Sequence, residues 1–91
     1  MTEPYRITPV FDEYTLPAAL RREHRTKSGV WGIIRVLQGQ VRLVKSDSVS
    51  IVTVDQPGLV KPEEPHWVEP LGPIKMQVEF FDHAPSTKRD G

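Results

Sequence analysis

The segment VWGIIRVL, residues 30–37, is apolar on both of the faces that a β-strand presents. Successive side chains of a strand point to opposite sides of its sheet, so the neighbouring residues Ile33 and Ile34 leave neither face suited to water. We therefore expect this segment to be a strand that is covered on both sides. Gln38 and Gly39 follow it and predict a tight hairpin to Val41, in which Gly39 has a positive φ angle.

The remaining segments alternate between apolar and polar residues, which is the pattern of half-buried strands. Residues 74–80 are apolar at every second position, residues 40–43 repeat the alternation, and residues 49–54 form a β-branched run. Proline cannot donate to a β-ladder, so the prolines between these segments indicate turns. The sequence predicts an all-β sandwich or barrel, with at most one short helical turn over residues 17–22.

Composition fits one small globular domain over residues 1–91. Of the 91 residues, 37% are hydrophobic and 26% are charged, and the polar residues 84–91 are predicted to form a flexible tail. The 12 Lys and Arg residues balance the 12 Asp and Glu residues, so no excess charge favours nucleic acid or an anionic membrane as a partner. The N-terminus does not resemble a signal peptide and no apolar run could span a bilayer, so we expect a cytoplasmic protein.

The chain has no cysteine, so any metal site must be built from imidazole and carboxylate groups. His24 precedes the first long strand, and His66 follows a turn with Pro62 and Pro65. Residues that are distant in sequence can meet at one cavity of a barrel, so His24 and His66 are candidates for one metal site. The alternative is that both are hydrogen-bonded residues of a metal-free pocket, and His83 is interpreted as a surface residue.

Short motifs throughout the chain resemble one family. Pro-x-x-Pro-His at residues 62–66 resembles the second motif of cupins, and Val-Leu-Gln-Gly at residues 36–39 resembles the end of the first. Together the motifs are similar to the TehB/YeaR-like domain, a cupin-like family linked by name to tellurite resistance. They run from about Tyr5 to Asp82: Pro9-Val10-Phe11, Leu16-Pro17, Glu23-His24-Arg25-Thr26-Lys27, Gly29-Val30-Trp31-Gly32, Val36-Leu37-x-Gly39, Pro65-His66-x-x-Glu69-Pro70 and Glu79-Phe80-Phe81.

The resemblance implies a small cupin-like double-stranded β-barrel, or jelly roll, with a divalent metal near its mouth. Zinc is the first guess for the metal, and the implied ligand positions are His24, His66, Glu69 and Glu79. Alternation places Glu69 on the face opposite to His66 unless a bulge precedes Pro70. It also places Glu79 on the polar, solvent-facing side of the last strand. Cupins with a complete site have a second histidine where this chain has Thr26, and a glutamate where it has Gly32.

Three further residues are candidates for a ligand pocket. Lys27, with Arg25 close by, suits an oxyanion such as tellurite, because positive charge and fixed donors bind oxygen-rich anions. The alternative is that these cations protect a strand edge from pairing with another chain. Trp31 and Trp67 would line a ligand cavity, or else pack in the core or at an interface.

Two functions follow from these residues. In the first, the domain binds a divalent metal and a small molecule or oxyanion in tellurite resistance or another stress response, and no reaction is assigned to it. In the second, it is a non-catalytic module without metal, which senses a ligand or binds another protein. In either case a thin core and exposed strand edges favour a homodimer.

Overall fold

The computed structural model describes residues 3–85 and has two antiparallel β-sheets. Sheet I has the strand order β1-β8-β3-β6, with β2 also paired to β8, and sheet II has the order β5-β4-β7. The only helical element of the described residues is a 3-10 turn, Ala18–Leu20. The strands are β1 Arg6–Ile7, β2 Phe11–Asp12, β3 Trp31–Gln38, β4 Val41–Lys45, β5 Val49–Val52, β6 Gly58–Val60, β7 His66–Pro70 and β8 Lys75–Phe81.

Strand β3 lies between β8 and β6 in sheet I and is buried on both faces, as its sequence predicts. Ile33 is 0% exposed and Ile34 is 2% exposed, although their side chains point to opposite sides. The main core lies between the two sheets and contains inward-facing residues of both. Its members are Leu16, Ile34, Val36, Val41, Leu43, Val52, Val60, Val68, Ile74, Met76 and Val78.

The prediction of an all-β fold with one short helical turn is confirmed, but the two sheets do not form a closed barrel. Over residues 3–85, no ladder continues from one sheet into the other. The alternating pattern could not distinguish these architectures, because inward-facing residues recur at every second position in a sandwich and in a barrel alike. Within the same residues, no helix is long and apolar enough to cross a membrane.

The predicted positive φ angle at Gly39 is confirmed, at +80°, whereas the predicted hairpin is wrong. Strands β3 and β4 belong to different sheets, so the turn carries the chain from one sheet to the other. A Cβ atom at position 39 would also collide with the carbonyl oxygen of Pro73. Of the predicted tail, residues 86–91 lie outside the described residues.

Substitution of Gly39 tests this crossing between the sheets. We expect Gly39→Val to lower the free energy of unfolding by about 1–3 kcal/mol or more, because the left-handed backbone is strained for a β-branched residue and Cβ meets Pro73. Gly29→Val is the matched control, since Gly29 also has a positive φ angle but its Cβ would have nothing within 4 Å. Chemical denaturation of both variants measures the difference. Equal losses at the two positions would contradict a role for the contact with Pro73.

Candidate functional site

A cavity of about 330 Å³ opens between the two sheets at one end of the core. Alternate, inward-facing residues of three strands form its walls, so the cavity is a continuation of the core that side chains do not fill. From these strands the lining residues are Gly32 and Ile34 of β3, Val78 and Phe80 of β8, and His66 and Val68 of β7. The remaining lining residues are Tyr5, Arg6, Leu20, His24, Arg25, Thr26, Lys27, Val30 and Val60.

His24 and His66 meet at this cavity. The two residues form an isolated antiparallel bridge, in which His24 N donates to His66 O at 3.0 Å and His66 N donates to His24 O at 2.9 Å. Their ring centroids are 4.1 Å apart, with a tilt of 59° between the ring planes. The sequence prediction that these two histidines converge therefore agrees with the structure. The bridge also ties the segment before β3 to the first residue of β7.

Backbone carbonyl groups orient both rings. His66 Nδ1 lies 2.8 Å from Glu64 O, and His24 Nδ1 lies 3.0 Å from Arg22 O. A carbonyl oxygen can only accept, so Nδ1 donates in each case and Nε2 of the neutral ring retains its lone pair. Burial is the main cause that lowers the pKa of His66 from its ordinary value of 6.5, and the nearby His24 adds to this effect. The neutral form of His66 is thereby favoured.

The turn before β7 is tied to the same segment as the histidine pair. Glu63 has a positive φ angle of 60°, and its amide donates to Thr26 O at 3.2 Å. Lys61 N donates to the side chain of Glu64 at 3.1 Å, which closes the turn. The prediction that this turn presents His66 is consistent with the structure, since His66 directly follows the turn and lines the cavity.

The charged residues that line the cavity are all cations. They are Arg6, Arg25 and Lys27, and no carboxylate of the described residues is among the lining residues. The guanidinium of Arg6 lies 6.0 Å from the centroid of the Phe80 ring. Neither Arg25 nor Lys27 belongs to an ion pair within residues 3–85. Lys27, a predicted pocket residue, lines the cavity, and so do Arg6 and Phe80, which the sequence did not predict as pocket residues.

The two predicted carboxylate ligands lie on the outer faces of the sheets. Glu69 pairs with Arg42 at 3.0 Å and accepts a hydrogen bond from Trp67 Nε1 at 2.9 Å, which is the main cause that lowers its pKa. Glu79 pairs with Arg35 at 3.1 Å. The register of β7 on β4 is continuous, so no bulge turns Glu69 toward His66. Within residues 3–85, no three metal-ligating side chains are grouped.

The two tryptophans are also outside the cavity lining. Trp31 precedes the inward-facing Gly32, and Trp67 follows the inward-facing His66, so alternation turns both rings outward. Both are half-buried, and Trp67 lies beside Val44 on the outer face of sheet II. The same alternation predicts the inward-facing residues of β8, since Phe80 is two residues from Val78 and therefore points to the same side of the sheet.

The sequence profile of the family described as the TehB-like domain matches residues 6–78. The chain belongs to the TehB-like domain family. Its fold is similar to that of TehB from Haemophilus influenzae, with a TM-score of 0.80 and 27% identity. That match covers 86% of this TehB-like domain but only 30% of the TehB chain.

A second crystal structure, of a protein from E. coli strain K12, is similar along its whole length. It has a TM-score of 0.81 and 25% identity, and the match covers 93% of each chain. The comparison with curated proteins gave no match. The predicted resemblance to the TehB/YeaR-like family is thus confirmed.

The buried His66 predicts how the stability of this TehB-like domain depends on pH. Because its pKa is lower in the folded state than the unfolded value of 6.5, the unfolded chain takes up the proton first as the pH falls. We expect the free energy of unfolding of metal-free protein to fall between about pH 7 and 5.5, and the His66→Gln variant to lose this dependence. Denaturant titrations across this range measure it.

The carboxylates with lowered pKa values act at lower pH, because their stabilisation is lost only as the pH falls from the ordinary values of 3.8–4.5 toward the lower pKa values of the folded state. The same slope in both proteins would show that His66 does not titrate differently on folding.

Proposed function

We propose that this TehB-like domain binds a small anionic molecule in the cavity between its sheets. The observation that carries the proposal is the charge of the lining, which consists of three cations and no carboxylate within the described residues. Arg25 and Lys27 are exposed and have no ion-pair partner in residues 3–85, so a bound anion would not have to displace one.

The histidine pair is the polar anchor of the proposed site. A neutral ring that donates through Nδ1 accepts at Nε2, so the pair suits a hydroxyl of the ligand or a protonated acid oxygen. When a ring takes up a proton, Nε2 becomes a donor and suits a fully ionised oxygen. Tellurite, which the family's name suggests, has oxygens of both kinds when partly protonated. A role in tellurite resistance or in another stress response belongs to this proposal, and it includes no reaction.

A divalent metal at His24 and His66 is the second candidate. The arrangement of the rings favours it, because ligating histidines commonly donate their other nitrogen to a backbone carbonyl. The predicted four-residue ligand set does not fit, since Glu69 and Glu79 pair with arginines on the outer faces. A metal held by two imidazoles would keep positions open for water or for an anion, and would supply positive charge there. The cytoplasmic location and the homodimer stay predictions.

Loss of one cavity charge tests anion binding. We expect Lys27→Gln to weaken the binding of tellurite by about tenfold, because a charge-assisted contact is lost. Lys75→Gln is the matched control, since Lys75 is an exposed cation of β8 outside the cavity lining. Calorimetric titration at low salt measures both. Equal weakening by the two variants would mean that the overall charge, and not the cavity, attracts the anion.

Metal uptake is tested separately on protein without a histidine tag. We expect bound zinc to be lost in His66→Gln and retained in Glu69→Gln, because only the first residue lies at the cavity. Equilibrium dialysis followed by elemental analysis measures the zinc that remains. The metal proposal is wrong if the original protein takes up neither zinc, iron nor manganese.

A further inference from the structure

Gly32 lies within the apolar strand β3, although its backbone conformation does not require a glycine. Its φ angle is not positive, so other residues can adopt the same backbone conformation. A Cβ atom at this position would meet its nearest neighbour, Val60 Cβ, at the ordinary contact distance of 3.7 Å. Gly58 is different, because a Cβ atom there would approach Val52 Cγ2 to 2.8 Å. Close packing therefore requires glycine at position 58 but not at position 32.

A glycine at position 32 leaves the inner face of β3 without a side chain where the strand lines the cavity. Gly32 is buried, faces inward and lies between its cross-strand partners Val60 and Phe80, both of which line the cavity. A glycine in the interior of a strand weakens it, because the residue has no side chain to pack and loses more backbone entropy on folding. A β-branched residue would favour the strand and would fill this part of the cavity.

The walls around this space are apolar, and they determine the kind of anion that fits. Ile34, Val60, Val78 and Phe80 surround Gly32, whereas Arg25 and Lys27 lie on the segment between the 3-10 turn and β3. An inorganic oxyanion has no apolar surface, so it would gain nothing by displacing water from these walls. An organic anion would bury its apolar part there while its charged group meets the cations.

We propose that Gly32 determines the size of the ligand, and that the ligand is an organic acid whose apolar chain lies over this residue. This inference rests on the proposed anion site and names the class of ligand that the site takes. The space above Gly32 accommodates the chain, and the cations with the histidine pair bind the acid group. Position 32 thus determines which ligands fit the cavity, and the fold itself does not require a glycine there.

Straight-chain carboxylates from acetate to octanoate are the probes for this inference. We expect the original protein to bind longer acids more tightly, and Gly32→Val to weaken the longer acids by about tenfold or more while leaving acetate unchanged. Gly32→Ala should give an intermediate loss. Calorimetric titration or chemical-shift titration of the full chain measures these affinities. Ser50→Val, which adds the same side chain to a strand of sheet II outside the cavity, should change none of them.

Thermal unfolding gives a second readout that does not depend on a ligand. We expect Gly32→Val to raise the melting temperature, because the strand gains a β-branched residue whose Cβ meets Val60 and Val78 at ordinary contact distances of 3.7 and 3.8 Å. A lower melting temperature for both Gly32→Val and Gly32→Ala would overturn the inference, since glycine would then be needed by the fold. Unchanged affinities for the longer acids in Gly32→Val would also overturn it. If the original protein binds tellurite but none of the acids, this inference is wrong and the anion site stands; if it binds neither, the proposed anion site itself is wrong.

Discussion

Burial of β3 on both faces is the constraint on which the other elements depend. Ile33 and Ile34 point to opposite sides of sheet I, and both are removed from water. A strand of this kind must lie inside a sheet, and β8 and β6 occupy its two edges. Sheet II covers the inner face, so the main core forms between the sheets. This arrangement determines which alternate residues of each strand face inward.

The space between the sheets is packed at one end and open at the other. Val36 and Met76 are paired across β3 and β8 and are almost fully buried, whereas Gly32 and Phe80, paired further along the same two strands, line the cavity. One continuous inner face therefore supplies both the stability of the domain and the walls of its candidate site. Apart from Arg6 on β1, the charged and imidazole groups of that site come from outside sheet I, on the segment 24–27 and at the start of β7.

The parts of the candidate site that the sequence could predict are those that depend on local chemistry. The side chains and neighbouring turns of His24, His66 and Lys27 make them candidates, and all three line the cavity. Glu69 could have been excluded by strand parity alone, because β7 is regular and an odd spacing from His66 reverses the face. Arg6 could not have been found, because its position depends on the pairing of β1 with β8.

The sequence by itself determined the strands β3, β4, β5, β7 and β8 and the left-handed backbone at Gly39, because these depend on interactions among neighbours in the chain. It did not predict the short strands β1, β2 and β6, which are formed by pairing with β8 and β3. Only the tertiary structure decided that β3 and β4 lie in different sheets, and that the sheets do not close into a barrel. It also decided that His24 meets His66 while Glu69 and Glu79 pair with arginines on the outer faces. These outcomes depend on which strand edges pair, and strand pairing is set by contacts between segments distant in sequence, which a local pattern does not contain.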